Sequence, residues 1–162
     1  MKRFFGLLSL TLICAMLLCG CSVTPEVFEK DGMSITLTSA FSELEQEGLT
    51  VAYHSKKAVV LAFKEEFTTL TDAGIGADST LEEYAAAVLK AQQLQGTAIQ
   101  SDNGLTYFVY ERSSGRSTYA YFATVHKSAS AFWLIQFGCS ADSFLELQPT
   151  FMTYAQSVAF AE

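Results

Sequence analysis

The chain has 162 residues, half of them apolar, with 10 basic and 17 acidic side chains and a formal charge of −7. Of its first 20 residues 14 are apolar, against 67 of the other 142, so the mean hydropathy of +0.25 arises largely at one end. That distribution excludes a polytopic membrane protein, a disordered chain, a collagen-like repeat and a disulfide scaffold. It leaves one compact domain behind a short apolar leader.

The leader opens with Met1, Lys2 and Arg3, runs apolar from Phe4 to Leu18, and ends Cys19-Gly20-Cys21. A basic n-region, an apolar h-region and a small residue before the cut are the parts of a secretory signal. The run is near the lower length for a bilayer span, about 17–25 residues, so an uncleaved anchor stands as an alternative. Leu18-Cys19-Gly20-Cys21 resembles the bacterial lipoprotein lipobox, with an aliphatic residue three before a cysteine and a small one directly before it. The resemblance implies a thioether-linked diacylglyceryl group on Cys21 and cleavage after Gly20. Cys19 is the competing acceptor, but bulky Leu18 precedes it; Cys14, Cys19 and Cys21 also read simply as small hydrophobes of an h-region. The expected organisation is a signal peptide over 1–20, a lipidated cysteine and tether over 21–31, and one folded domain over 32–162.

Cleavage would leave 8 basic and 17 acidic residues, a formal −9. Such a domain repels phosphate backbones, so nucleic acid is not an expected partner. The expected attachment is to the cell membrane, through the lipid anchor on the extracytoplasmic side. Beyond Cys21 the remaining cysteine is Cys139, so no intradomain disulfide forms and the fold rests on its core. Cys139 closes an apolar strand and reads as a buried thiol, with a reactive nucleophile as the alternative.

Ser22 to Asp31 contains Pro25 and mixed charges without periodicity, and reads as a tether reaching at most about 3.3–3.6 Å per residue. Met33 to Thr38 alternates apolar and polar, predicting a half-buried strand. Ala40 to Gly48 reads as a turn or short helix. Leu49 to Tyr53 and Ala58 to Phe67 predict a hairpin around His54 to Lys57, and Thr68 to Thr80 a loop. Leu81, Tyr84, Ala85, Val88 and Leu89 then fall on one helical stripe. Ser79 with Glu82, or Thr80 with Glu83, offers a capping box, and the helix is expected to end near Gly96.

From Thr97 onward the pattern predicts a four-stranded antiparallel meander: Thr97 to Ser101, Leu105 to Arg112, Ser117 to Lys127 and Ala131 to Cys139. Asp102-Asn103-Gly104 favours a tight turn between the first two. Ser140 to Asp142 supplies an N-cap for a C-terminal helical region ending near Val158, with a break or restart expected at Pro149. The last strand is apolar on both faces, with Phe132, Leu134, Gln136 and Gly138 on one and Trp133, Ile135, Phe137 and Cys139 on the other. Its sheet needs cover on both sides, which predicts an α+β sandwich with a central antiparallel sheet flanked by helices.

Gly32 to Leu37, Ser79 to Tyr84, Asn103 to Tyr107, Phe132 to Phe137 and Pro149 to Phe160 together resemble, in pattern and order, the PsbP-like superfamily. That group includes the photosystem II extrinsic subunit, a Ran-binding nuclear import factor and small bacterial lipoproteins. The likeness spans about residues 32–160. It implies a central antiparallel sheet with flanking helices, an α/β/α sandwich, and binding or assembly roles, and it brings no catalytic residues. The photosystem role does not transfer, since fold does not fix function.

No catalytic residue, metal site or cofactor is expected. His54 and His126 lack a partner at ligand spacing, and His126 reads as a residue at the solvent edge. Neither Gly138-Cys139-Ser140 nor Gly115-Arg116-Ser117 forms a nucleophile elbow, and Gly74-Ile75-Gly76 lacks the third glycine of a dinucleotide fingerprint. Asp72 and Asp78 read as solvated loop acids without calcium-loop spacing. The candidate ligand-binding residues are Tyr110, Arg112, Tyr119 and Tyr121, on adjacent strands with Phe108 and Phe122 among them. Tyrosines suit a cleft that is apolar at one end and wet at the other, and equally a core edge. The expected function is a non-catalytic binding or scaffold domain for an envelope protein. The alternatives are an enzyme or accessory hydrolase with a dispersed site, and a small-ligand carrier needing an apolar cavity between sheet and helix.

Overall fold

The computed structural model describes residues 23–94 and 97–161; the leader, Cys21 and Gly96 lie outside the described residues. The first element is a hairpin of β1 (Pro25–Lys30) and β2 (Met33–Thr38). Asp31 and Gly32 take φ of 52° and 83° at its tip, the paired left-handed turn that Asp-Gly favours. The expected tether is therefore mostly strand. Phe28 turns inward onto Tyr53, ring centroids 5.0 Å apart, and burying that ring overrides a segment of weak pattern. Where a turn or short helix was expected, β3 (Ser42–Glu43) pairs with the end of β4 (Val51–His54), and the Lys30 ammonium pairs with Glu43.

β4 and β5 (Ala58–Glu66) form the expected hairpin. Two single 3₁₀ turns follow, and then α1 (Leu81–Ala91). Of the two capping registers the second is used: the Glu83 N–H donates to Thr80 Oγ1 at 3.2 Å, and the Thr80 N–H to the Glu83 carboxylate at 2.8 Å. Ser79 instead accepts from the Gly76 N–H. The helix stops before Gly96. Gln93 takes φ 58°, its N–H meets the Lys90 carbonyl, and the Leu94 N–H reaches the Leu89 carbonyl at 2.9 Å. This is a Schellman turn with glutamine where glycine is usual.

The meander appears as β6 (Gln100–Asp102), β7 (Leu105–Ser114), β8 (Ser117–Lys127) and β9 (Ala131–Ser140). β9 also pairs with β5, giving a seven-stranded antiparallel sheet in the order β3-β4-β5-β9-β8-β7-β6. A 3₁₀ turn leads into α2 (Phe144–Gln156), and β10 (Ala159–Phe160) joins β2 to complete a small sheet, β1-β2-β10. Pro149 does not break α2. It is exposed, one turn after Leu145, itself 84% exposed, so the missing donor falls on the solvent side of the helix. Among the described residues no helix is long and apolar enough to cross a membrane.

β9 is buried on both faces, as its pattern required. Trp133, Ile135, Phe137 and Cys139 pack with Met33, Ile35 and Leu37 of the small sheet and with Phe144, Phe151 and Ala155 of α2. Phe132 and Leu134 pack on the other side with Tyr84, Ala85 and Val88 of α1. The protein is thus an α+β sandwich of three layers. Cys139 is buried and free, and burial pushes its thiol above the usual range.

His126 departs from its expected solvent edge. It shares the Trp133-lined face, meets Phe160 edge-on at 6.1 Å and lies 3.0 Å from Thr124 Oγ1. β10 was unforeseen, and it is what covers this histidine. Burial lowers the His126 pKa from 6.5 to about 4. The folded imidazole is neutral, so the unfolded chain takes up the proton first and stability falls as pH drops from 6.5 toward 4. Urea unfolding of His126→Gln should lose on the order of 2 kcal/mol less than the parent across that window. Equal losses in both would sink the assignment. Separately, Gln93→Gly should raise the unfolding free energy measured in urea by about 0.5–1 kcal/mol, because glycine carries no Cβ penalty at positive φ.

Candidate functional site

The helix α1 lies over β7 and β8 and leaves β5 and part of β9 without a helix above them. Strand alternation puts Val59, Leu61, Phe63 and Glu65 of β5 on this face. The three apolar ones are only half-buried, whereas Ala58, Val60 and Ala62 on the opposite face are buried. Opposite them in register, β9 contributes Leu134, Gln136 and Gly138. This half-buried stripe along β5 forms a trough in which Phe63 lines a hollow at one end, Val59 a hollow at the other, and Leu61 lies between the two.

The hollow beside α1 has a volume of about 470 Å³ and lies between Phe63, Glu65 and Leu134 on the sheet and Tyr84, Ala87 and Ala91 on the helix. Tyr84 stacks on Phe132, centroids 4.5 Å apart, and its hydroxyl donates to Glu65. Burial first, and then the Glu65 carboxylate, push the Tyr84 phenol far above its usual range, so it stays a neutral donor. The second hollow, of about 640 Å³, is floored by Val59, Gly138 and Tyr121, with Tyr119, Lys56, Lys57, Ser140 and Ser143 around it. The Lys57 ammonium is 3.9 Å from Glu146 with both side chains over 70% exposed, a pair too well solvated to hold the lysine.

The pairing of β7 with β8 brings all four candidate residues together: Tyr110 stands opposite Tyr121, and Arg112 opposite Tyr119. Their surroundings then separate them. Tyr110 is core, 7% exposed, stacked on Tyr121 at 5.0 Å, and burial pushes its hydroxyl up to about 12. Arg112 covers the Tyr110 ring at 5.6 Å and donates to the Gln92 carbonyl at the end of α1, where a cation suits the helix dipole. At the other end of α1, the Lys127 ammonium binds the carbonyls of Ala77 and Ser79 and lies over Phe132. Tyr121 walls the second hollow, and Tyr119, 40% exposed, stands at its rim. So two of the four candidates face the trough and two brace it.

Lys56, Lys57, Gly138 and the β5 stripe escaped the sequence reading. The available signals were the run Ala58 to Phe63, apolar on both faces, and a glycine inside a strand, which marks close approach. His126 is on the opposite face, and His54 ends β4, exposed. Among the described residues no group of three or more His, Cys, Asp or Glu is gathered to hold a metal ion. What the trough offers chemically is apolar area, hydroxyls, Lys64 and Glu65 together at one end, and two lysines without a carboxylate at the other.

Gly138 is where the trough is most sensitive. A Cβ there would lie 2.7 Å from Tyr121 Cε1 and 3.0 Å from Val59 Cγ2. Gly138→Ala should therefore destabilise by about 1–3 kcal/mol. Most of that loss should vanish in a Tyr121→Ala background; an additive double-mutant cycle in chemical unfolding would contradict the close packing.

No family model matches the chain, and no curated protein matches it. Solved structures do, each along 86% of this chain. The cyanobacterial PsbP of Synechocystis sp. PCC 6803 is 15% identical over 94% of its own length, with a TM-score of 0.50. The Ran-binding protein Mog1p of Saccharomyces cerevisiae is 6% identical over 96% of its length, with a TM-score of 0.55. A protein of Bacteroides thetaiotaomicron is 9% identical with a TM-score of 0.53, and this chain spans about half of it, 49%. At such identities the likeness carries the fold alone, and that fold is the PsbP-like one.

Proposed function

We propose that the chain is a non-catalytic binding domain held at the extracytoplasmic face of the cell membrane by a lipid on Cys21, with an envelope component as its partner. The observation that carries the binding role is the trough. Val59, Leu61 and Phe63 stay only half-buried, while Ala58, Val60 and Ala62 on the other face of the strand are buried. Uncovered apolar surface beside placed polar groups marks an interaction site. That a solved protein of the same fold is a Ran-binding protein accords with this use of it. The anchor rests on the leader pattern and the lipobox resemblance at Cys21. A second reading, a small-ligand carrier, is favoured by the hollow between β5 and α1, where an apolar ligand would be shielded.

Two measurements test the proposal. Cys21→Ser should move the protein from the membrane to the soluble fraction and abolish incorporation of labelled fatty acid; retained label would refute the anchor. A photo-crosslinking residue at Tyr119, activated in native membranes, should capture a defined envelope protein by mass spectrometry. Recovery of no adduct above that from an exposed control position such as Leu145 would refute the protein-partner reading.

A further inference from the structure

We infer that the trough takes a single-chain amphiphile with an anionic head, the head at Lys56 and Lys57 and the chain along β5 toward α1. The inference deepens the carrier reading of the same face and rests on it. Three features point to this occupant. Val59, Leu61 and Phe63 form one continuous apolar stripe at two-residue spacing, which fits a linear chain better than a compact ring. The two ends differ in charge: the hollow beside α1 is lined by Glu65 and by Lys64, itself paired with Glu66 at 2.7 Å, while Lys56 and Lys57 border the other with no carboxylate in the lining. At about 3.3 Å per residue the strand from Ala58 to Glu65 separates these ends by roughly 23 Å. A carboxylate or phosphate head meets Lys56, unpaired among the described residues, at the second and only a Lys64 already held by Glu66 at the first, so charge favours this direction.

The third feature is the helix wall. Ala87 and Ala91, one turn apart on α1, both line the hollow, and their small side chains leave it open. The volumes of about 470 and 640 Å³ fall within the range of small-molecule sites. At the head end Ser140 and Ser143 add hydroxyl donors. Two of the ten basic residues of an acidic chain are adjacent here, and among the described residues Lys56 is in no ion pair. A peptide added as a strand fits less well, because β5 is paired on both sides, by β4 and by β9, and offers no free edge.

The test uses the full chain in native membranes with a photoactivatable long-chain carboxylate. Adducts should map to β5, β9 and α1. Unlabelled dodecanoate should compete, and dodecyltrimethylammonium, with the same chain and the opposite head, should not. Ala91→Trp fills the hollow from an exposed helix position and should cut labelling at least about fivefold; Ala86→Trp, exposed on the same helix outside the hollow, should leave it unchanged. The double variant Lys56→Ala, Lys57→Ala should weaken competition by dodecanoate about fivefold, the factor of one solvent-exposed charge contact. Labelling confined to other segments, equal competition by both heads, or indifference to Ala91→Trp would each overturn the inference. Capture of a protein at Tyr119 with no carboxylate adduct would overturn it while leaving the binding face intact.

Discussion

The whole arrangement depends on β9, a strand that water can reach on neither face. Trp133, Ile135 and Phe137 on one side and Phe132 and Leu134 on the other are each at most 4% exposed. Two separate layers must therefore form over one sheet. The chain solves the two sides unequally. One side receives α2 together with a second sheet; the other receives a single helix of 11 residues. A helix about 10 Å across covers roughly two strands at about 4.8 Å spacing, and this sheet has seven. The trough is the part of the sheet that one helix is too narrow to roof.

The wall of that trough is held firmly for so short a helix. Arg112 donates to the Gln92 carbonyl at one end and Lys127 to the backbone before the other, and each cation also rests on an aromatic ring of the sheet. A capping box and a Schellman turn close the same helix at the backbone level. The hollow between α1 and β5 thus has a rigid side, which lowers the entropy lost when it is filled.

Residues whose neighbours are fixed by short-range chemistry were readable from sequence. The stripe of α1, the Asn103-Gly104 turn and the double-sided burial of β9 all follow from spacing and turn preference. Longer-range partners were not. β1 carries Pro25 and three charges, and its place as a strand comes from pairing with β2 and from the packing of Phe28 on Tyr53. The missing donor of Pro149 predicts a break, but its exposure on α2, which sequence does not carry, leaves the helix intact. Tyr110 and Arg112 looked like ligand groups because their types suit a cleft; which of four tyrosine-rich positions is roofed depends on where α1 lies. Lys56 and Lys57 had no distinguishing pattern, since a turn lysine acquires meaning only from the strand face beside it.

The early start of β1 has a mechanical consequence. Thr24 is already fixed to Ser39, through the Ser39 N–H to the Thr24 carbonyl at 2.7 Å and the Thr24 N–H to Ser39 Oγ at 3.2 Å. With the proposed anchor at Cys21, the leash is three residues long, roughly 10 Å, where the sequence alone allowed three times as much. A domain so tethered rolls against the bilayer instead of ranging above it. Its encounters become a two-dimensional search among molecules that also lie at that surface.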